Sequence, residues 1–372
     1  MRALAGIRVL DFSTLLPGPM ATLMLAEAGA EVIKIERTSR GEDMRHYRPY
    51  WGADSVNFAL LNRGKKSVAA DLKGPAVRDR LLALAGMSDV VVEQFRPGVM
   101  DRLGLGYEAM RQANPRIVYC AITGYGQTGP RRDRAGHDLN YIGDAGLLAL
   151  SCGEPGRRVV PPALIADIAG GAYPAVMNIL LALRQRDLTG EGAYLDVSMA
   201  ESVFAFEYWA IGNGLGAHRW PGNGAELVTG GSPRYRLYDT RDGKVVAAAP
   251  LEQKFWLAFT AAIGLAPALI DDARDPAATT AAVAEIIVSR TAAEWEPLFD
   301  QADCCCSIVQ DVRAALDDPH FRARGVFAHT LENEQGATMP ALPVPLSPNF
   351  RGAPEQPQRA PPLGAHNAEF GF

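Results

Sequence analysis

The sequence predicts an α/β protein with a parallel sheet in its first half, followed by a smaller α+β unit. Two patterns carry this prediction. In the first 190 residues, short apolar runs alternate with helical patterns, as expected when helices connect parallel strands. From about Ala225 to Leu316, a hairpin pattern is followed by three helical patterns, which is typical of an α+β unit.

The elements of the first half follow in order. Strands are predicted at GIRVLDFS, AEVIKIE, SDVVVEQF and RIVYCAITGYG, and helices at ATLMLAEAG, PAVRDRLLALAG and roughly 168–186. The pattern is Rossmann-like, but its first turn reads STLLPGPM. Dinucleotide-binding folds need GxGxxG in that turn, so that the backbone can approach the pyrophosphate. The sequence therefore does not favour NAD binding.

The second half begins with an antiparallel hairpin pattern. In YRLYDTRDGKVVAAAP, alternating apolar residues lead into a Thr-Arg-Asp-Gly turn and a β-branched strand. Helices are predicted at LEQKFWLAFTAAIGL, DPAATTAAVAEIIVSR and TAAEWEPLFDQA. The last 40 residues are rich in proline, and we expect them to pack as an extended tail on the rest of the molecule.

The composition is that of an ordinary globular chain. Its 372 residues are 48% hydrophobic and 21% charged, with a net charge of −5 and no basic tail. These values favour neither nucleic acid nor an anionic membrane as a partner. The segment MRALAGIRVLDF lacks the long apolar run and cleavage site of a secretory signal, so we expect a cytoplasmic protein.

The cysteines argue against both a disulfide framework and a metal site. There are five, an odd number without CxxC spacing: Cys120, Cys152 and the trio Cys304–Cys306. We therefore expect reduced thiols and no bound metal. The trio, in CCCSIV, lies next to an apolar strand pattern, which favours buried structural cysteines; a reactive thiol is the alternative.

Several phrases together carry a family resemblance. They are GIRVLDFS, PGPMATLMLAEAGAEVIKIE, LNRGKKSVAADLK, FRPGVMDRLGLGYE, RAGHDLNY, LIADIAGG, YDTRDGKVVAAAPLEQKFW, DDPHFRARGVF and PPLGAHN, in this order. The sequence resembles the family III CoA-transferase and α-methylacyl-CoA racemase superfamily, which includes formyl-CoA transferase and L-carnitine CoA-transferase. The phrase GHDLNY places the resemblance in the racemase-like GHDxNY branch.

This resemblance implies an architecture. A large Rossmann-like CoA-binding domain, 1–190, is completed by the tail, 330–372. A linker, 191–224, leads to a small α+β domain, 225–316, and a return linker, 317–329, leads back. Two chains form an interlocked homodimer, with the active site between the large domain of one subunit and the small domain of the other. The substrate is a coenzyme A thioester, and no prosthetic group is implied.

Three residues are candidates for catalysis. Asp167, in LIADIAGG, lies at a strand-to-helix junction where it would also serve as a helix N-cap. His137, in GHDLNY, would more often be structural if taken alone. The resemblance implies that both exchange protons with the α-carbon of the substrate, and that Glu252, in LEQKFW, supports the histidine. A glutamate stabilised by a helix dipole is the alternative for Glu252, and Gln253 replaces the proline usual after it.

Other residues are candidates for binding CoA. The resemblance implies phosphate and adenine contacts at Arg37, Lys65 and Arg96, and a pantetheine path lined by Asp138 and Tyr141. Arginine and lysine form charge-assisted bonds with phosphate, although each of these cations could equally be a solvated surface charge. In the loop GYGQTGP, backbone N–H groups could stabilise an oxyanion, or the segment could simply be a connection after a strand.

Three functions remain open at this stage. The first is racemisation or epimerisation of a 2-methylacyl-CoA through an enolate, because His137 and Asp167 could serve opposite faces of the α-carbon. The second is CoA transfer to a carboxylic acid acceptor through anhydrides on Asp167. The third is non-catalytic binding of acyl-CoA. The residues favour the first.

Overall fold

The chain folds into two units, each assembled from segments that are distant in sequence. The structure is a computed structural model that describes residues 2–353 and 356–372. The first unit comprises Met1–Ala145, Pro162–Phe206 and Pro319–Phe372, and the second comprises Gly146–Pro161 and Glu207–Asp318. Residues 191–206 of the predicted linker thus belong to the first unit.

A parallel sheet forms the centre of the first unit. Within the described residues its strands are β1 (Arg8–Asp11), β2 (Glu31–Glu36), β3 (Lys66–Ala69), β4 (Val90–Glu93), β5 (Val118–Thr123) and β6 (Ala193–Ser198). Their order is β6-β5-β4-β1-β2-β3, and every neighbouring pair is parallel. The predicted parallel sheet is confirmed. The pattern missed β3 and β6, which are the edge strands of this sheet.

Helices cover both faces of this sheet. The first unit contains the helices Pro17–Glu27, Val56–Asn62, Pro75–Ala85, Val99–Arg102, Tyr107–Ala113, Asp138–Ala145, Ile165–Asp167, Tyr173–Thr189, Met199–Val203, Pro319–Ala323 and Asn367–Phe370. Pro75–Ala85 and Tyr107–Ala113 share a core with Leu10 and Ile33. Pro17–Glu27 and Tyr173–Thr189 pack together and against the sheet. Because successive side chains of a strand point to opposite faces, the central strands are apolar on both.

One helical stretch in the described part of the chain, Ile165–Thr189, is long and apolar enough to cross a membrane. Length and composition alone do not distinguish such a helix from a core helix. Its residues Ala175, Ile179 and Ala182 are buried, and it packs against β5 and β6. These contacts are typical of a core helix.

The C-terminal residues return to the edge of the parallel sheet. The His366 N–H donates to the Ser67 carbonyl at 3.0 Å. The Asn367 side chain accepts from the Ala69 N–H at 2.8 Å and donates to the Ala69 carbonyl at 3.1 Å. Glu369 pairs with Lys66. The tail therefore caps β3, the edge strand that would otherwise present unpaired backbone groups.

The second unit is built around a small antiparallel sheet. Its strands are β7 (Arg236–Asp239), β8 (Val245–Ala248) and β9 (Cys306–Ile308), in the order β7-β8-β9. The predicted hairpin is confirmed, with Arg236 opposite Ala248. The helices are Leu147–Leu150, Tyr208–Ala217, Gln253–Ile263, Pro276–Ile287, Ala292–Ala302 and Val312–Asp317.

The core of the second unit is aromatic. Trp256, Phe259, Trp295 and Phe299 are almost fully buried and join the sheet to its helices. The Trp295 and Phe299 rings stack at 5.5 Å. Both indole N–H groups are used, since Trp256 donates to the Ile270 carbonyl and Trp295 to the Ile287 carbonyl. Buried indoles are stable only when their N–H groups find such partners.

Short ladders complete the described strands. They are Tyr50–Trp51 with Asp54–Ser55, Gly153–Glu154 with Arg157–Arg158, and Thr330–Glu332 with Thr338–Pro340.

Candidate active site

The two predicted proton-transfer residues of the first unit lie at two neighbouring helices, His137 just before one and Asp167 within the other. His137 directly precedes the helix Asp138–Ala145, which packs against the short helix Ile165–Asp167. The segment before His137 is the loop that follows β5, at the carboxyl end of that strand. Ligands of open parallel sheets bind at this end of the strands. The position therefore suits a substrate site.

A buried aspartate connects the two helices. Asp138 is only 4% exposed, and its Oδ1 accepts a hydrogen bond from the Asp167 N–H at 2.9 Å. This bond fixes the backbone of Asp167 next to the residue that follows His137. Asp138 therefore positions Asp167, a role that the sequence did not reveal.

The chain changes its helical form directly after Asp167. Residues Ile168–Ala172 form a π-helix before the α-helix Tyr173–Thr189 begins. Gly170 and Gly171 allow this turn to approach Met199 closely, because an added Cβ would lie 2.7 Å from the Met199 carbonyl oxygen and 2.9 Å from its Cγ. Isolated π-turns occur often at functional sites. The two glycines of LIADIAGG are thus required by packing.

Tyr141 holds the loop that leads to His137. A Cβ on Gly124 or Gly136 would lie 2.6 Å or 2.7 Å from the Tyr141 ring. The Tyr141 hydroxyl donates to the Gly136 carbonyl, and Tyr125 packs edge-on against the ring at 5.3 Å. Burial raises the pKa of Tyr141 to about 12, so that its hydroxyl remains a donor. Gly124 and Gly136 therefore leave the space that the Tyr141 ring occupies, because a side chain at either position would clash with it.

The backbone of His137 is fixed, whereas its side chain is exposed. Its N–H donates to Asn140 Oδ1 at 3.0 Å, and its carbonyl accepts from the Asn140 N–H at 2.8 Å. This reciprocal pair resembles a capping box, in which the third helical residue reaches back to the residue before the helix. Asn140 in GHDLNY is the sequence signal of this arrangement, and it could have been recognised. The imidazole is thus presented to solvent from a rigid turn.

The electrostatics of the site centre on Asp167. Burial and the neighbouring Asp138 carboxylate raise the pKa of Asp167 from 3.8 to about 6, while His137 acts in the opposite direction. A carboxyl with such a pKa is partly protonated near neutral pH. It can therefore donate a proton in one state and act as base or nucleophile in the other.

Glu252 lies in the second unit. It is exposed and directly precedes the helix Gln253–Ile263, without a side-chain bond to the end of that helix. Its carbonyl accepts from the N–H groups of Phe255 and Trp256, both at 3.0 Å. This position fits the alternative of a glutamate stabilised by a helix dipole as well as a supporting role in catalysis. The support of His137 by Glu252 stays a prediction.

Lys65, a predicted phosphate contact, is buried. Its ammonium has no exposed surface and bonds with Asp11 Oδ2 at 3.1 Å, Thr22 Oγ1 at 2.8 Å, Asn62 Oδ1 at 2.9 Å and the Pro19 carbonyl at 3.0 Å. An ammonium has three protons, and protein acceptors already take them. The phosphate contact of Lys65 stays a prediction, while the structure holds its ammonium in the interior through tertiary pairing with Asp11.

The other two predicted cations lie at the surface. Arg37 is exposed and bonds with Asp43 Oδ1 at 2.5 Å and the Gly41 carbonyl at 3.1 Å. Arg96 is exposed just after β4. Both remain predicted CoA contacts, and Asp138 and Tyr141 remain predicted neighbours of the pantetheine arm.

The turn after β1 offers little to an anion. Pro17 and Pro19 have no N–H group, and the Gly18 N–H donates to Gln94 Oε1 at 3.0 Å. A helix N-terminus binds phosphate through free N–H groups. The structure thus agrees with the missing dinucleotide fingerprint. Within residues 2–353 and 356–372, no three His, Cys, Asp or Glu side chains are grouped as metal ligands.

The first unit has the architecture of an α/β enzyme, with ionisable side chains at the carboxyl end of a parallel sheet. The sequence model of CoA-transferase family III matches residues 4–367. The chain belongs to that family, whose members use CoA thioesters. Its relatives are racemase and CoA-transferase enzymes.

Related proteins include members with both activities. The alpha-methylacyl-CoA racemase of Mus musculus is 33% identical over 380 residues, covering 99% of this chain and 93% of the racemase. The succinyl-CoA:glutarate CoA-transferase of Mus musculus is 38% identical over 281 residues, covering 74% of this chain and 62% of the transferase. The crystal structure of Rv3272 from M. tuberculosis has a TM-score of 0.82 and 29% identity, with 99% of each chain covered.

Proposed function

We propose that this enzyme racemises or epimerises a 2-methylacyl-CoA by moving the proton on its α-carbon. The observation that carries this proposal is the pairing of an exposed imidazole, His137, with a carboxyl, Asp167, whose pKa is raised to about 6. Inversion through an enolate needs a base on one face of the α-carbon and an acid on the other. A neutral imidazole and a protonated carboxyl fill these two roles near neutral pH.

The proposed reaction proceeds in two proton transfers. The His137 imidazole takes the α-proton, and the electron pair moves onto the thioester oxygen. The protonated Asp167 then returns a proton to the opposite face, and the thioester carbonyl forms again. In the reverse direction the two residues exchange roles. Backbone N–H groups of the GYGQTGP loop would stabilise the enolate oxygen.

The proposal includes an interlocked homodimer in the cytoplasm. In that assembly the second unit of one chain supplies Glu252 to the site of the other, where its carboxylate would orient the imidazole. The apolar surface supports a partner: Met177, Leu181 and Leu188 share one face of the helix Tyr173–Thr189 and are 57%, 62% and 70% exposed. Apolar side chains that line one helix face in this way are typical of a surface buried in an assembly.

CoA transfer to a carboxylic acid is the second candidate. The 38% identity with succinyl-CoA:glutarate CoA-transferase favours it. Here the Asp167 carboxylate would attack the thioester, forming an acyl-aspartyl anhydride and releasing CoA. CoA would then attack the aspartyl carbonyl, so that the donor acid leaves and an aspartyl-CoA thioester remains. The acceptor carboxylate would displace CoA from this thioester, and CoA would attack the acceptor carbonyl of the new anhydride, which forms the acceptor thioester and frees Asp167. His137 has no required part in these steps, so it is the residue that distinguishes the two reactions.

Isotope exchange tests the racemase proposal. The protein is incubated with one enantiomer of a 2-methylacyl-CoA in deuterated water, without an acid acceptor. We expect deuterium at the α-carbon together with loss of optical purity, both measured by mass spectrometry and chiral chromatography. Asp167→Asn serves as the matched control. An active preparation that transfers CoA but incorporates no deuterium would exclude the racemase.

Trapping with hydroxylamine tests the transferase. If Asp167 forms an acyl anhydride, hydroxylamine and acyl-CoA together convert its side chain to a hydroxamate and inactivate the enzyme. Peptide mass spectrometry locates the adduct, and Asp167→Asn abolishes it. CoA should also appear on an added acid. A protein that binds acyl-CoA but gives neither outcome would be a non-catalytic binder.

A further inference from the structure

The cysteine trio of the second unit forms an unusual turn. It connects the helix Ala292–Ala302 to β9, and both Asp303 and Cys305 have left-handed backbone conformations, with φ of 47° and 55°. For residues other than glycine this conformation costs roughly 1–2 kcal/mol each. The chain bends at Cys305 as a result.

The three thiols do not point in the same direction. Cys304 is 1% exposed and belongs to the aromatic core of the unit. Cys306 is partly buried and packs against the same core, whereas Cys305 is exposed. The two outer cysteines therefore share an interior environment, and the middle one faces solvent.

The bend brings the two interior cysteines into contact. The Cys306 thiol donates to the Cys304 carbonyl oxygen, with 3.5 Å between Sγ and O. A left-handed residue separates the Cα atoms of its neighbours by roughly 5.5 Å, because successive Cα atoms are about 3.8 Å apart. Disulfides span Cα separations of about 4.4–6.8 Å. The turn therefore has a backbone suited to a bond between its outer sulfurs.

The pKa values of these two neighbouring thiols shift in opposite directions. The Cys306 thiol lowers the pKa of Cys304, against the effect of burial. The neighbouring Cys304 thiol, followed by burial, raises the pKa of Cys306. The thiolate is the reactive form of cysteine, so Cys304 is the expected first nucleophile and Cys306 the thiol that responds.

We propose that Cys304 and Cys306 are a redox modification site, which a peroxide converts reversibly to an intrachain disulfide. The Cys304 sulfur attacks hydrogen peroxide, the O–O bond breaks, and a sulfenic acid and one water form. The Cys306 sulfur then attacks the Cys304 sulfur, the S–O bond breaks, and a second water leaves. One peroxide is thus reduced as two thiols are oxidised, and an added dithiol reverses the change by being oxidised itself.

The disulfide would reach the segment that carries Glu252. The Cys305 carbonyl accepts the Ala249 N–H at 3.0 Å, and Ala248 lies opposite Cys306 in the sheet. Beyond Ala249, the Leu251 N–H donates to the Ala249 carbonyl at 2.8 Å. A bond between the outer sulfurs turns the Cys305 carbonyl and so displaces this short connection. An effect on turnover rests on the proposed role of Glu252, whereas the thiol chemistry does not.

Mass spectrometry of the full chain tests the disulfide. The reduced protein is treated with a small excess of hydrogen peroxide, its remaining thiols are alkylated, and intact mass and peptides are measured. We expect loss of two titratable thiols and a disulfide between Cys304 and Cys306 that dithiothreitol removes. Cys304→Ser and Cys306→Ser should each abolish it, and Cys305→Ser should retain it. The proposal would be overturned if Cys305 alone were oxidised to a sulfenic, sulfinic or sulfonic acid. A disulfide that includes Cys305 or joins two chains would also overturn it.

Activity separates this inference from the proposed function. We expect the oxidised enzyme to lose several-fold in turnover and to recover it with dithiothreitol, and Cys306→Ser to be insensitive to the same treatment. Cys152→Ser, which removes a partly exposed thiol elsewhere in the unit, is the matched control and should behave as the unaltered chain. If the disulfide forms without changing turnover, the redox site at Cys304 and Cys306 is supported, but its coupling to Glu252 is excluded.

Discussion

Two clusters of ionisable residues lie in the first unit, and they are built in opposite ways. Around Asp11, at the carboxyl end of β1, a first cluster is almost fully buried, and each of its carboxylates has a cation: Asp11, Lys34, Glu42 and Lys65. In the candidate active site, Asp138 and Asp167 are two neighbouring carboxyls, and the exposed His137 is the predicted base.

The pKa values express this difference. Burial acts to raise the pKa of Asp11, yet Lys34 and Lys65 hold it well below its ordinary value. In the active site burial and Asp138 act together, and the pKa of Asp167 rises to about 6. Where charges are paired, the cluster stabilises the fold. Where two carboxyls are neighbours, the pKa of one of them rises, and a carboxyl with a raised pKa suits proton transfer.

Substitution of the unpaired carboxyl should have the largest effect. Asp167→Asn is expected to reduce exchange or transfer by roughly 10⁴-fold, because Asp167 is the proton donor in one reaction and the nucleophile in the other. Steady-state kinetics with acyl-CoA would measure this, with circular dichroism to confirm folding. A variant that keeps more than a tenth of the activity would contradict the assignment.

Breaking the paired cluster should affect stability instead. Lys65→Met leaves Asp11 buried with one cation fewer, which is expected to reduce the free energy of unfolding by about 3–5 kcal/mol. Its neighbour offers the matched control: Lys66→Met removes partly exposed pairs with Glu31 and Glu369 and should cost about 0–1 kcal/mol for each pair. Denaturant unfolding measures both. Equal losses would show that the buried cluster is not specially stabilising.

His137→Gln should separate the two reactions. We expect α-proton exchange to fall by about 10²-fold, since an amide cannot act as the base, whereas CoA transfer through Asp167 should persist. Isotope exchange and CoA transfer are measured on the same preparation. If His137→Gln lost CoA transfer but kept α-proton exchange, the assigned role of His137 would be contradicted.

The pH dependence of trapping should follow the pKa of Asp167. If the carboxylate is the nucleophile, inactivation by hydroxylamine and acyl-CoA should rise about tenfold per pH unit below 6 and level off above it. Asp138→Asn removes the neighbouring charge and should shift the profile to lower pH. An unchanged midpoint in that variant would mean that Asp138 does not raise the pKa.

The smallest expected effect is on stability at alkaline pH. A carboxyl whose pKa is raised on folding binds its proton more tightly in the folded chain, so its contribution to stability is present below 3.8 and is lost as pH rises to about 6. Asp167→Asn removes this loss. It should therefore be more stable than the unaltered chain by about 1–3 kcal/mol at pH 8, and no more stable at pH 4. Thermal unfolding at the two pH values measures the difference.

Local patterns predicted the elements that depend on local signals. The central strands and the hairpin were recognised because their apolar periodicity is continuous. Both edge strands were missed: β3, with the sequence KSVA, has no continuous apolar run, and β6 has a half-exposed pattern that resembles a linker. An edge strand is defined by its neighbour, and that neighbour lies far away in sequence.

The site was predictable to a similar extent. The resemblance predicted His137 and Asp167 as partners, and the structure brings the helix that follows His137 against the short helix that contains Asp167. The burial of Lys65 was not predictable, because it depends on Asp11, 54 residues away in sequence. The packing of Gly124 and Gly136 around Tyr141 likewise becomes visible only when the loop and helix are brought together.

The return of the tail to β3 bears on how the protein is made. Residues 366–369 bond to strand β3 at residues 66–69, so a ribosome synthesises nearly the whole chain before that edge can be capped. The segment Glu207–Asp318 of the second unit emerges earlier and has its own aromatic core. During translation, the edge of β3 therefore stays unpaired until the tail is made. We expect the first unit to be most prone to aggregation, and to depend most on chaperones, in this period.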